Sequence, residues 1–213
     1  MKDKYQDRKQ GREKVISGWF QTHVVENFEL YPLKSDRLLE TLTWKKRGTN
    51  INRIDYTRRS NVLMVTGDLG DAIYSWSEAQ TLRWISGLDL EYFAGKCQAS
   101  EVGRKYKEWN RELAEEWLKD YFMEAIDEED GKRLAEEKRK AEDSYVWGSL
   151  SSEAEWIAWM MANGHDVFGD DLGGFENIGN EIATRCQAHL VGLRMAFELI
   201  DGVSVKQEDK EEK

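Results

Sequence analysis

Residues 40–76 read ETLTWKKRGTNINRIDYTRRSNVLMVTGDLGDAIYSW, and this stretch decides the fold class. Leu42 and Trp44 alternate with Thr and Lys, Gly48-Thr49-Asn50 is a turn signal, and Ile54 and Tyr56 alternate again. Arg58-Arg59-Ser60-Asn61 turns the chain before the apolar run Val62-Leu63-Met64-Val65, and Gly67-Asp68-Leu69-Gly70-Asp71 turns it once more ahead of Ala72-Ile73-Tyr74-Ser75-Trp76. Short alternating runs between tight turns predict a four-strand antiparallel β-meander. The uninterrupted apolar character of Val62–Val65 predicts a strand buried on both faces. Gly67-x-x-Gly70 lacks the Lys-Ser/Thr of a phosphate loop, carries Asp68 and Asp71, and precedes a strand, so it reads as a hairpin turn.

On both sides of the meander the period is helical. Val15, Ile16, Trp19, Phe20, Val24 and Phe28 recur at helix spacing and predict a helix over about 12–28, behind a flexible basic leader at 1–11. From Ser77 onward the chain reads as a mostly helical bundle to about residue 202. Ser77 with Gln80 forms a capping box for a helix ending near Gly87. Asp89 caps a short helix through Tyr92, Phe93 and Cys97, and Asn110 caps one carrying Leu113, Trp117, Tyr121 and Ala125. Residues 127–143 are almost wholly polar with strong helix propensity, as in a protruding arm. Ser152 with Glu155 opens a helix bearing Trp156, Trp159 and Met160 that Gly164 ends. Ile178, Ile182, Cys186, His189, Leu193, Ala196 and Ile200 then form one stripe, with Gly202 as C-cap and an unordered acidic tail at 203–213. The expectation is a single α+β domain over 12–202, long enough at 213 residues to bury a sizeable core.

Charge is unevenly spread over a chain of net charge −10. Residues 1–60 hold 14 Lys and Arg against 8 Asp and Glu, whereas 108–143 hold 7 against 14 and 150–213 hold 5 against 13. An acidic half of this kind repels nucleic acid and membrane surfaces and attracts basic protein clefts. No apolar run is long enough to cross a membrane, and residues 1–14 lack the apolar segment of a signal peptide. Cys97 and Cys186 read as buried thiols of a reducing cytosol.

The candidate chemistry is sparse, and each motif has a structural alternative. His165, Asp166, Asp170, Asp171 and Glu176 place carboxylates in a Gly-rich loop that could hold a divalent cation, but not at EF-hand spacing, so a solvated turn is preferred and no metal or other cofactor is implied. Cys186 and His189 stand at i and i+3, two ligands where zinc needs four, and His189 falls within the apolar stripe as a satisfied core histidine would. Cys97 has no local partner signature for nucleophilic catalysis. Lys45, Lys46, Arg47, Arg53, Arg58 and Arg59, with Trp44 and Tyr56 nearby, could bind single-stranded nucleic acid or could simply protect hairpin tips. Glu112, Glu115, Glu116 and Asp120 share one side of the helix capped by Asn110, giving an acidic face suited to a basic cleft.

Three segments taken together carry a resemblance: Val65-Thr66-Gly67-Asp68-Leu69-Gly70-Asp71-Ala72-Ile73-Tyr74-Ser75-Trp76, Tyr92-Phe93-Ala94-Gly95-Lys96-Cys97-Gln98-Ala99-Ser100 and His189-Leu190-Val191-Gly192-Leu193-Arg194-Met195-Ala196-Phe197. In this order, over about residues 40–200, the chain resembles a family of uncharacterised accessory proteins of phages and prophages. The resemblance implies a bacterial host's cytoplasm and no known activity, and it transfers no functional residue. Small acidic proteins of that setting include inhibitors of host defence such as anti-CRISPR proteins. The expectation is therefore a non-enzymatic protein that binds a host protein or nucleoprotein complex through the acidic face, with nucleic-acid or nucleotide binding on the basic meander as the alternative. Oligomeric state is left open.

Overall fold

The computed structural model describes residues 2–33, 38–100, 106–125, 152–168 and 178–211, and shows a mixed α+β protein. In chain order the elements are α1 (Lys2–Trp19), β1 (His23–Pro32), β2 (Leu38–Lys46), β3 (Ile54–Arg59), β4 (Val62–Gly67), β5 (Ala72–Ser75), α2 (Leu82–Ser86), α3 (Leu90–Ala94) and β6 (Cys97–Ser100). There follow β7 (Lys107–Trp109), α4 (Arg111–Ala125), α5 (Glu153–Phe168), β8 (Asn180–Ile182) and α6 (Thr184–Glu211). They fall into two compact units, residues 1–106 with 182–213 and residues 107–181, where the sequence suggested one domain.

The first unit is built on an antiparallel sheet of six strands in the order β1-β2-β3-β4-β5-β6, two more than the expected four. The four expected strands are all present as β2 to β5. Both additions come from segments assigned to helices. α1 ends at Trp19, a turn with His23 N donating to Phe20 O follows, and Val24 and Phe28 lie in β1. Nine partners along β2 outweigh a local helical period that Val24-Val25 already weakens. The helix capped by Asp89 stops at Gly95, so Cys97 pairs with Tyr74 in β6. Asp89 itself caps as expected, its Oδ1 accepting from Glu91 N at 2.8 Å.

Several boundaries also move. The expected leader is part of α1 from Lys2, since its Lys, Gln and Arg residues favour helix. Thr81, not Ser77, caps α2, its Oγ1 accepting from Trp84 N at 3.1 Å. Gly164 and Gly202 lie within α5 and α6, which run on to Phe168 and Glu211, because a lone glycine costs a helix only about 1 kcal/mol. α6 begins at Thr184, so Ile182 belongs to β8.

Strand pleating sorts the residues. Leu42, Trp44, Ile54, Tyr56, Leu63, Val65 and Tyr74 are buried on one face, while Met64 and Ile73, which pair across β4 and β5, are 40% and 42% exposed on the other. β4 is thus buried on one face only, its apolar run notwithstanding. The helices of this unit do not form a bundle. α6 packs on the inner sheet face, its buried Cys186, His189, Leu190, Leu193, Ala196 and Phe197 sharing one core with the strands, with Ile16, Leu82, Ile85 and Phe93 from the other helices and with Phe20 from the turn after α1.

Two tyrosine hydroxyls anchor α6 on the sheet. Tyr56 donates to His189 O at 2.7 Å, and Tyr74 meets the His189 ring. The approach is close enough to require glycine at 192, where a Cβ would lie 2.8 Å from Tyr56 Oη and 3.0 Å from Ile54 Cδ1. Gly192→Ala is expected to cost about 1–3 kcal/mol by overpacking, read by urea denaturation. A loss under about 0.5 kcal/mol would show that the helix can lift without penalty.

The second unit holds α4 and α5. Asn110 caps α4 as expected, Oδ1 accepting from Glu112 N at 2.9 Å, and Ser152 Oγ accepts from Glu155 N at 3.3 Å to open α5. Ala114, Leu118, Trp156, Trp159 and Met160 are buried, and the Trp156 ring tilts against Trp109 and Trp159. Gly179, at φ +80°, is pressed by Asn110 O, Ala114 Cβ and Trp109 Nε1, each 2.9 Å from where a Cβ would stand. The expected arm at 127–143 lies outside the described residues. No described helix is long and apolar enough to cross a membrane.

Candidate functional site

α4 carries the acidic residues singled out in the sequence. Ala114 and Leu118 point one side of the helix into the core, and Glu112, Glu115, Glu116 and Asp120, at i, i+3, i+4 and i+8, take the other. Glu112 is exposed and the other three are half-buried. Arg111 Nε donates to Glu115 Oε1 at 2.6 Å, an i,i+4 pair that neutralises part of the face. Glu112 also lies in the first turn, where a carboxylate is favoured by the helix dipole.

The basic residues of the meander do not gather. Lys45, Lys46, Arg47 and Arg53 flank the β2–β3 turn, whereas Arg58 and Arg59 stand at the far end of β3, roughly 17 Å away along the strand. Lys45 Nζ is 2.6 Å from Glu26 Oε1, and Arg53 grips Asp55 with two nitrogens, at 2.8 and 3.1 Å. Lys46, Arg47 and Arg59 are exposed.

Arg58 is no surface residue: it is 5% exposed, on the inner face of the sheet. Its Nε donates to Glu40 Oε2 at 2.8 Å, and the same carboxylate oxygen accepts from Leu82 N at 2.7 Å. Glu40 therefore neutralises a buried guanidinium and satisfies a first-turn N–H of α2, a structural role that removes Arg58 from the candidate nucleic-acid set.

His189 and Cys186 are enclosed, whereas Cys97, expected to be buried, is only half-buried at the sheet edge strand β6. His189 is 2% exposed, with Nε2 3.1 Å from Gly70 O and Nδ1 2.9 Å from Tyr74 Oη. A carbonyl can only accept, so the proton sits on Nε2, and Nδ1 accepts the Tyr74 O–H. The Tyr74 proton being so used, the 3.4 Å contact between Tyr74 Oη and Cys186 Sγ has the thiol donating. Burial lowers the His189 pKa to about 4 and pushes Cys186 up to about 12. His189 is thus the satisfied core histidine that the sequence suggested.

Both cysteines are free thiols. Burial also raises the pKa of Cys97, which disfavours a thiolate nucleophile. A small cavity of about 120 Å³ lies among α1, α3 and α6, lined in part by Lys9, Glu13, Asp89, Gln187 and Arg194. Its polar groups are used in packing. Arg194 donates to Ser86 O, Leu88 O and Glu13 Oε1, satisfying carbonyls at the end of α2, and Lys9 pairs with Asp89. Of the acidic loop at 165–176, residues 169–176 lie outside the described residues. Among the described residues, no group of three or more His, Cys, Asp and Glu is placed to hold a metal ion.

Comparison of the chain with protein-family models, curated proteins and solved structures returned no match.

Proposed function

We propose that this chain is a non-enzymatic binding protein that presents the acidic face of α4 to a basic cleft on another protein. The observation that carries the reading is the two-sided character of α4. Ala114 and Leu118 fasten the helix to its own core, leaving Glu112, Glu115, Glu116 and Asp120 together on the opposite side. A carboxylate array on a helix steers association with a basic partner and makes it sensitive to salt. The reactive side chains support the same reading, since Cys186, His189 and Tyr74 are occupied in packing α6 on the sheet.

The phage resemblance of the three segments makes a host-defence nucleoprotein complex the first partner class to test, in the manner of an anti-CRISPR protein. The basic meander is the weaker alternative, because Arg58 is buried and Lys45 and Arg53 are held by Glu26 and Asp55.

The test is a tagged pull-down from nuclease-treated host lysate at low and high salt, with wild type and a variant reversing Glu112, Glu115, Glu116 and Asp120 to Lys. A stoichiometric protein partner should be retained by the wild type at low salt and lost by the variant, with affinity down at least about 100-fold. Unchanged affinity in a correctly folded variant overturns the acidic-face reading.

A further inference from the structure

We propose that the outer face of the sheet docks a second copy of this chain, sheet against sheet, about a twofold axis along the row Thr41, Thr57, Met64, Ile73 and Ala99. The ladders set these five residues side by side across β2 to β6. None is charged, and Met64 and Ile73 stand exposed at its centre. The run Val62-Leu63-Met64-Val65 has the composition of a strand covered on both faces, yet only Leu63 and Val65 are buried. A second sheet stacked on the outer face would cover Val62 and Met64 in turn.

Charge selects the occupant. Asp55 and Arg59 both point outward from β3, two residues to either side of Thr57. Arg59 is exposed and has no ion pair among the described residues. Around Asp55 three carboxylates, Asp55, Glu26 and Asp68, outnumber two cations, Arg53 and Lys45, and leave one negative charge in excess. A twofold axis lying in the face and crossing the strands at Thr57 sets Arg59 of each copy over the Asp55 end of the other. Stacked sheets lie about 10 Å apart, a gap that an Arg and an Asp side chain together span. The same axis brings Met64 onto Met64 and Ile73 onto Ile73, so the face complements itself in both charge and apolar surface.

The sheet-bearing unit holds 23 Lys and Arg against 20 Asp and Glu, so two such units approach with little long-range repulsion. Glu29 closes the row on β1 and meets its own copy, but at the exposed sheet margin, where salt screens the repulsion. Six strands span about 24 Å and six residues about 20 Å, roughly 1,000 Å² for the two faces together. That is about the lower bound for a specific association, and it implies a reversible dimer. The face belongs to the sheet-bearing unit, and the proposal is independent of the α4 reading.

The test is sedimentation equilibrium of the full chain over a range of concentrations, where a monomer–dimer equilibrium in the micromolar range is expected. Met64→Glu, which sets two carboxylates together on the axis, should weaken the dimer at least about 100-fold. Glu29→Gln should tighten it about twofold. Arg59→Glu and Asp55→Lys should each weaken it about tenfold, and an equimolar mixture of the two should regain it, since each chain then offers the charge the other needs. The α4 charge-reversed variant should dimerise as the wild type does. A chain that stays monomeric at millimolar concentration, a dimer indifferent to Met64→Glu, or a mixture no tighter than its components would overturn the proposal. So would a dimer lost only on reversal of the α4 charges, because the contact would then lie on α4. Met64 and Arg59 are exposed and their variants should keep the wild-type urea midpoint, so Met64→Glu and Glu29→Gln decide the matter even if Asp55→Lys does not fold.

Discussion

Glu40→Ala is expected to destabilise the sheet-bearing unit by about 3–5 kcal/mol, the range for removing one partner of a buried ion pair. The cost is concentrated in one carboxylate oxygen, which accepts both from Arg58 Nε and from Leu82 N. Losing it strands a guanidinium that is 5% exposed and leaves a first-turn N–H of α2 without its acceptor. Urea denaturation followed by tryptophan fluorescence reads the loss. A double variant, Glu40→Met with Arg58→Leu, separates charge from volume. It should recover most of the stability, because a well-packed apolar pair commonly equals or exceeds a buried ionic one. A loss below about 1 kcal/mol in the single variant would show that water reaches Arg58 and that the pair is not sealed.

Acid should weaken the same unit through His189. Its ring is neutral in the fold, with a pKa lowered by burial to about 4 against 6.5 for the free side chain. The unfolded chain therefore binds the extra proton first. The stabilising contribution of neutral His189 is complete above about pH 6.5, declines as pH falls, and is gone below about pH 4. Over that window the loss amounts to roughly 3 kcal/mol. His23, buried beside Phe20 and Trp44, is shifted the same way by burial and steepens the slope.

Carboxylates also titrate on the acid side, so the wild-type slope alone does not assign the effect. His189→Gln keeps a donor for Gly70 O and an acceptor for the Tyr74 hydroxyl but cannot take up the proton. Its stability is expected to be lower at pH 7 and flatter by about 3 kcal/mol between pH 6.5 and 4. Parallel slopes for the two proteins would remove His189 as the cause.

The α4 face is the part of the proposed function most directly legible in the sequence. Asn110 as a cap and acidic residues at helical spacing against Ala114 and Leu118 are local signals, and the structure places all of them as spaced. The basic set fails at Arg58 because the chemistry of a guanidinium by itself points to the surface, whereas its place in the strand alternation points inward. The alternation that turns Leu42 and Trp44 inward also turns Glu40 inward, and that of Ile54 and Tyr56 does the same to Arg58. Two opposite charges at inward positions of adjacent strands were a readable sign of a buried pair. What could not be read was their register, which puts Glu40 opposite Arg58.

The local chemistry of the chain determined its turns and several of its helix starts. Gly67 and Gly70 adopt φ of +134° and +92° in the β4–β5 turn, and Asp89, Asn110 and Ser152 cap with their own side chains. These outcomes depend on atoms within a few residues of one another, so local sequence suffices. Tertiary structure alone decided that 23–32 and 97–100 are strands, since their ladders are completed by residues distant in sequence or beyond a turn. It also decided that a charged pair lies inside the core and that α6 rests on Tyr56 and Tyr74, across separations of 133 and 115 residues. Propensity weighs tenths of a kcal/mol per residue, and a completed ladder or a filled core outweighs it.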